Sequence, residues 1–124
     1  MIELLRCCKA ILLLQGRDPT TDELVADPER FPSGISALVD YVKSKGISLG
    51  IYSDAASKTC AGYEGSGGSN GNQYLDAMTF VKWGVDYIKL DGCHLNTTNG
   101  EELHDAYMKF GNAIKRVYKE TNKT

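Results

Sequence analysis

Four side chains carry most of the chemistry that this 124-residue sequence offers: Tyr52, Asp54, Lys89 and Asp91. Successive side chains of a strand alternate between its faces. Tyr52 and Asp54 therefore share one face near the end of the run Ile47–Ser53, and Lys89 and Asp91 share one face at the end of Val85–Leu90. Two positions along a strand span about 6.6 Å, which makes the Lys89 ammonium a neighbour of the Asp91 carboxylate. A carboxylate beside an ammonium keeps its charge, and an attacking carboxylate needs that charge. A purely structural reading competes: Asp91-Gly92 is then only a turn, and Lys89 a satisfied residue of the sheet.

Other candidates are weaker. Gly62, Gly65, Gly67, Gly68 and Gly71 crowd one stretch, but neither G-x-x-x-x-G-K-[ST] nor G-x-G-x-x-G stands directly after a strand, so a flexible surface loop is expected there. His94 and His104 lack cysteine or carboxylate neighbours at ligand spacing, which favours surface positions and no metal site. Cys7 and Cys8 are adjacent, and no C-x-x-C occurs. Cys60 and Cys93 stand either as a bridge or as two buried thiols. Two glycosylation triplets, Asn96-Thr97-Thr98 and Asn122-Lys123-Thr124, lean with such a bridge toward a secretory route.

The elements that must position these residues alternate helix and strand. Ile35, Leu38, Val39 and Val42 fall at helical spacing behind Pro32-Ser33, with Ser33 as N-cap and Gly46 as stop. The strand Ile47–Ser53 follows, then the glycine-rich loop. A second helix runs from about Asn72 to Trp83 with Tyr74, Ala77, Met78 and Val81 on one side, and Gly84 ends it. After the strand Val85–Leu90, a third helix begins near Glu101, its apolar face Leu103, Ala106, Tyr107, Phe110 and Ile114. Ile11–Leu14 reads as a further buried strand, with Gly16–Ala26 as loop. Such βαβ order implies a parallel sheet, whose active residues gather at the carboxyl ends of its strands.

Composition bounds the rest. The length allows one domain. Lys+Arg 14 against Asp+Glu 16 gives a formal charge of −2, and so no electrostatic reason to expect nucleic acid or an anionic membrane surface as partner. No window approaches the ~20 apolar residues of a membrane span. The longest apolar run, Ala10–Leu14, is too short for the core of a signal peptide, so none is expected in this chain.

The segment Leu24-Val25-Ala26-Asp27-Pro28-Glu29-Arg30-Phe31-Pro32-Ser33-Gly34-Ile35 resembles the family 27 glycoside hydrolases, the α-galactosidases and α-N-acetylgalactosaminidases. Lys43-Ser44-Lys45-Gly46, Leu49 to Asp54, Lys58 to Gly62, Trp83 to Tyr87 and Lys89 to Cys93 continue that likeness in order. The resemblance covers residues 17–124, a partial catalytic (β/α)8 barrel, while residues 1–16 form an N-terminal segment that does not match. It implies a TIM-barrel fragment, about strands two to four with their helices, not closed. It further implies Asp91 as nucleophile of a retaining hydrolysis of terminal α-linked galactose or N-acetylgalactosamine, with Lys89, Tyr52 and Asp54 toward the sugar. Cys60 and Cys93 match a pair that forms a disulfide in the family.

The same likeness implies no cofactor, an α-galactoside glycolipid or oligosaccharide as substrate, a homodimer, and a lysosomal or secreted location. It also marks what is missing. The family's sugar-binding Asp-Asp-Cys-Trp segment would fall near Lys9–Leu12, where neither aspartate nor tryptophan stands, and its acid/base aspartate belongs to a later strand. Two expectations follow. The chain is hydrolase by family, and the 124 residues alone are inactive; the alternative is a non-catalytic truncated or galactoside-binding product.

Overall fold

The computed structural model describes residues 14–67, 71–96 and 98–121. Its strands and helices run β1 (Leu14–Arg17), β2 (Leu24–Ala26), α1 (Gly34–Ser44), β3 (Gly50–Asp54), α2 (Gln73–Trp83), β4 (Tyr87–Asp91) and α3 (Gly100–Thr121).

The two strands that carry the chemistry pair with each other. β3 and β4 are parallel, in the register Gly50↔Tyr87, Tyr52↔Lys89 and Asp54↔Asp91. Both strands start later than the apolar runs suggested, for a backbone reason. Ile47 donates its N–H back to the Val42 carbonyl at 3.2 Å and so completes the end of α1. Val85 does the same to Phe80 at 3.3 Å, behind Gly84 in the left-handed conformation that closes α2. Each βα unit thus spends two or three residues, the first of them an apolar one bonded back to the helix, before pairing begins.

The expected third parallel strand is not among the described residues. Residues 11–13 lie outside them, and Leu14 opens β1, which pairs antiparallel with β2 and not with β3. The stretch expected as loop, Gly16–Ala26, is therefore a hairpin. Asp18 organises its turn by accepting the N–H groups of Thr20 and Thr21 at 2.7 and 2.9 Å. β2 has only three residues, too few for alternation to announce it, yet Leu24 is buried in the main core.

That core joins Leu24, Ile35, Val39, Leu49, Ile51, Phe80 and Phe110. α1 contributes Ile35 and Val39 as its spacing predicts. Ser33 occupies the N-cap position without a side-chain cap; Gly34 instead donates its backbone N–H to the Phe31 carbonyl at 2.9 Å. α2 is buried on two sides. Phe80 enters the main core against Phe110, and Ala77 packs on Ala113 and Val117 of α3. Tyr74, Met78 and Val81 flank that second contact, so the helix face read from the sequence faces α3.

The glycine-rich stretch is not the expected free loop over its described first part. Gly65, Ser66 and Gly67 are buried and run back along the end of β3, donating N–H groups to Ser57, Asp54 and Ala56 at 2.9, 2.8 and 3.0 Å. A Cβ on Gly67 would fall 1.5 Å from the Ala55 carbonyl oxygen. Glycine at 67 is a packing requirement here.

Candidate active site

The parallel register sets Tyr52 beside Lys89 and Asp54 beside Asp91 at the carboxyl ends of β3 and β4. Tyr52 is 8% exposed, while the side chains of Lys89 and Asp91 are 50% and 38% exposed. The Tyr52 hydroxyl donates to Asp91 Oδ2 at 3.2 Å. Lys89 Nζ stands 4.0 Å from that same oxygen and 5.5 Å from the centre of the Tyr52 ring. Asp91 Oδ1 accepts the backbone N–H of Gly92 at 3.0 Å. The carboxylate is oriented through both oxygens and still faces solvent.

Burial and the negative charge of Asp91 push the Tyr52 hydroxyl up to about 12. Tyr52 therefore remains a hydrogen-bond donor throughout the neutral range. Its second neighbour is Cys60 Sγ at 3.2 Å. Cys60 is bonded to Cys93 across a Cα–Cα distance of 5.1 Å. A disulfide sulfur carries no proton and the single Tyr52 proton goes to Asp91, so the sulfur lies in close contact with the hydroxyl oxygen. The bridge ties the segment after β3 to the residue two positions beyond Asp91, and both cysteines are exposed at the rim.

Asp54 takes a different place from the sugar-facing one expected. It has no exposed surface; its Oδ1 accepts the Ala56 N–H at 2.8 Å and its Oδ2 the Cys93 N–H at 3.0 Å. The side chain braces the two strand ends from inside. A short β-strand motif shows which face a residue takes but not how deep that face lies.

Sequence reasoning passed over a second polar centre. Arg17 grips Asp76 through two parallel bonds, Nη1–Oδ1 at 2.7 Å and Nη2–Oδ2 at 2.8 Å, and also donates to the Gly65 carbonyl at 2.9 Å. Asp76 is fully buried, and the Arg17 side chain is 11% exposed. The clamp fastens the β1–β2 hairpin to α2 and to the buried Gly65–Gly67 segment. Ser66 in turn bonds β3 through its N–H to Asp54 and its hydroxyl to Ser53 at 2.6 Å. Asp76 lies in the first turn of α2 and shares its buried surface with the polar Gln73 and Thr79, so the local pattern did not single it out.

The remaining candidates stay apart from this centre. His94 is exposed, with Nε2 at 2.8 Å from the Thr59 carbonyl, and His104 is exposed on α3. Among the described residues, the one grouping of metal-type donors is Asp54, Cys60 and Cys93, and its sulfurs are joined to each other. Asn96 is exposed after β4, whereas Asn122 lies outside the described residues. No described helix is long and apolar enough to cross a membrane.

Comparison with known proteins supplies what geometry alone leaves open. A family model described as alpha galactosidase A matches residues 6–122, beginning upstream of the recognisable sequence words. The chain is 50% identical over 94 residues to human alpha-galactosidase A, covering 76% of this chain and 21% of that one. It is 47% identical over 91 residues to the alpha-N-acetylgalactosaminidase of Gallus gallus, covering 73% and 21%. The solved alpha-galactosidase of Saccharomyces cerevisiae with raffinose superposes with a TM-score of 0.72 at 33% identity, over 82% of this chain and 22% of that one. The chain thus spans about a fifth of the length of the relatives it matches. Its fold is an open portion of their (β/α)8 barrel, with β3 and β4 as neighbouring parallel strands.

Proposed function

This chain belongs to the alpha-galactosidase A family, and on that premise we propose that it carries the nucleophile and one wall of the sugar pocket of a retaining glycoside hydrolase. The substrate is a terminal α-linked galactose or N-acetylgalactosamine on a glycolipid or oligosaccharide. Asp91 is the nucleophile. One carboxylate oxygen attacks the anomeric carbon while the bond from that carbon to the leaving oxygen breaks, and a general acid protonates that oxygen. The glycosyl ester so formed is then opened by water at the same carbon. The acid, now a base, takes the proton of that water, and the configuration is retained.

The observation that carries this reading is the setting of Asp91: an oriented, solvent-facing carboxylate at a strand's carboxyl end, bonded by Tyr52 at 3.2 Å with Lys89 at 4.0 Å. Lys89, half exposed, has free N–H donors for sugar hydroxyls. Tyr52 orients Asp91 and lines the pocket. Asp54 acts as a positioning residue through Ala56 and Cys93. Retaining chemistry requires a second carboxyl group about 5–5.5 Å from the first, and we assign it to parts of the family fold outside these residues. The 124 residues by themselves then turn over no α-galactoside.

The exposed disulfide supports a secretory destination, outside the cell or in the lysosome. The test of the catalytic assignment is covalent trapping. Full-length protein is treated with an activated fluoro-galactoside that stalls at the glycosyl ester, then digested and sequenced by mass spectrometry. The label is expected on the peptide containing Asp91. A label on another carboxylate, or undiminished turnover by Asp91→Asn, overturns the assignment.

A further inference from the structure

Asn96 and Thr98 stand in the turn between β4 and α3, five and seven positions after Asp91, and take no part in the site described above. Asn96, Thr98, Asn99 and Gly100 are all exposed. The Thr98 hydroxyl donates to Asn96 Oδ1 at 2.6 Å, and the Thr98 N–H donates to the same oxygen at 3.1 Å. Both bonds fall on the carbonyl side of the amide. Among the described residues the Asn96 Nδ2 makes no hydrogen bond, and the residue is exposed. The turn begins at Cys93, which the exposed disulfide fixes.

We propose that Asn96 is an N-glycosylation site of this protein, placed on the same end of the sheet as Asp91. The donor is an oligosaccharide linked to a polyprenyl pyrophosphate. Asn96 Nδ2 attacks C1 of the first sugar, the bond from C1 to the pyrophosphate oxygen breaks, the lipid pyrophosphate departs, and one amide proton is lost to a base. Nothing is oxidised or reduced. Three observations combine here. The acceptor triplet has Thr at its third position and no proline at its second. Its asparagine lies on an exposed turn, so the folded state accommodates a glycan without displacing any core residue. The nearby Cys60–Cys93 bridge fits the oxidising compartment in which such transfer occurs. This inference stands independently of the catalytic reading, since it needs neither Asp91 nor a sugar pocket.

The full chain is to be secreted from a eukaryotic host behind a cleavable leader and analysed by gel mobility and peptide mass spectrometry, before and after peptide-N-glycosidase. The wild type is expected to lose mass on treatment, with residue 96 converted from asparagine to aspartate. Asn96→Gln removes the loss from the peptide containing residue 96, and so does Thr98→Ala, which leaves the asparagine in place. Thr98→Ser, which keeps the hydroxyl, retains it. Because the two disabling variants alter different exposed side chains, a folding defect in one leaves the other as the test. A wild type that enters the secretory route and shows no glycosidase-sensitive mass at residue 96 overturns the proposal. So does a glycosidase-sensitive mass that persists on the peptide containing residue 96 in both Asn96→Gln and Thr98→Ala.

Discussion

The clamp between Arg17 and Asp76 makes an unequal prediction for one substitution and for two. In Arg17→Met, the Asp76 carboxylate, fully buried in the intact protein, loses both donors of its bidentate pair. Removing one partner of such a buried pair costs about 3–5 kcal/mol, because the other charge stays inside without compensation. Arg17 is 11% exposed, so solvent screens this pair little. At roughly 4 °C per kcal/mol for a domain of this size, the melting temperature falls by about 12–20 °C. The pair itself contributes far less than that, for burial outweighs the guanidinium and holds the Asp76 carboxyl above its ordinary value of 3.8. The sign follows from the raised value: protonation of Asp76 favours the folded state below 3.8, and that contribution is lost as pH rises through the folded value. Replacing both residues, Arg17→Met with Asp76→Leu, therefore recovers most of the loss. Urea unfolding followed by Trp83, the one tryptophan of the chain and packed 5.8 Å from Phe80 on the same helix as Asp76, reads all four corners of the cycle. A single-variant cost under about 1 kcal/mol, or a double variant as unstable as the sum of its parts, refutes the reasoning.

Tyr52 deprotonates near 12, and the stability it contributes is whole below its ordinary 10 and lost as pH rises through 12; ultraviolet titration checks this, and Asp91→Asn brings the value down. Cys60→Ser with Cys93→Ser opens a crosslink across 33 positions and costs about 3–4 kcal/mol, read as a lower urea midpoint. Gly67→Ala drives a methyl into the Ala55 carbonyl and costs about 1–3 kcal/mol or more, whereas Gly111→Ala, inside α3 with nothing within 4 Å, gains about 0.5–1 kcal/mol. Equal stability of these two alanine variants by thermal melting would contradict the packing described. Residues 1–124 alone show no hydrolysis of a chromogenic α-galactoside, because general acid assistance, typically about 10²–10⁴-fold, is not supplied by any residue assigned here; turnover that Asp91→Asn abolishes would disprove this.

The elements that repeat with a clear period were legible before any coordinates. Ile35 and Val39 on α1, Ala77 on α2, and Phe110 on α3 are buried because an apolar stripe of helical period has one stable way to leave water, whereas Phe80 lies outside the stripe read for α2 and is buried on its other side. Strand alternation likewise put Lys89 with Asp91 on one face of their strand and Tyr52 with Asp54 on one face of theirs, since side-chain period in a strand is a property of the backbone alone; the parallel register then brought Tyr52 to Lys89 and Asp91. The ordered words around Asp27, Gly50 and Asp91 carried the family. What alternation left undecided was depth and partner. Asp54 and Asp91 occupy paired positions with matching patterns, yet one is sealed beneath the loop that Ser66 brings back and the other opens to solvent. β2 is too short to have a period, and Gly65–Gly67 reads as loose chain until the Arg17 clamp is seen to draw it down. Arg17 and Asp76 are 59 positions apart. No local signal spans that distance, because a buried ion pair is specified by the shape that encloses both charges, and that shape exists only once the hairpin, the loop and α2 have come together.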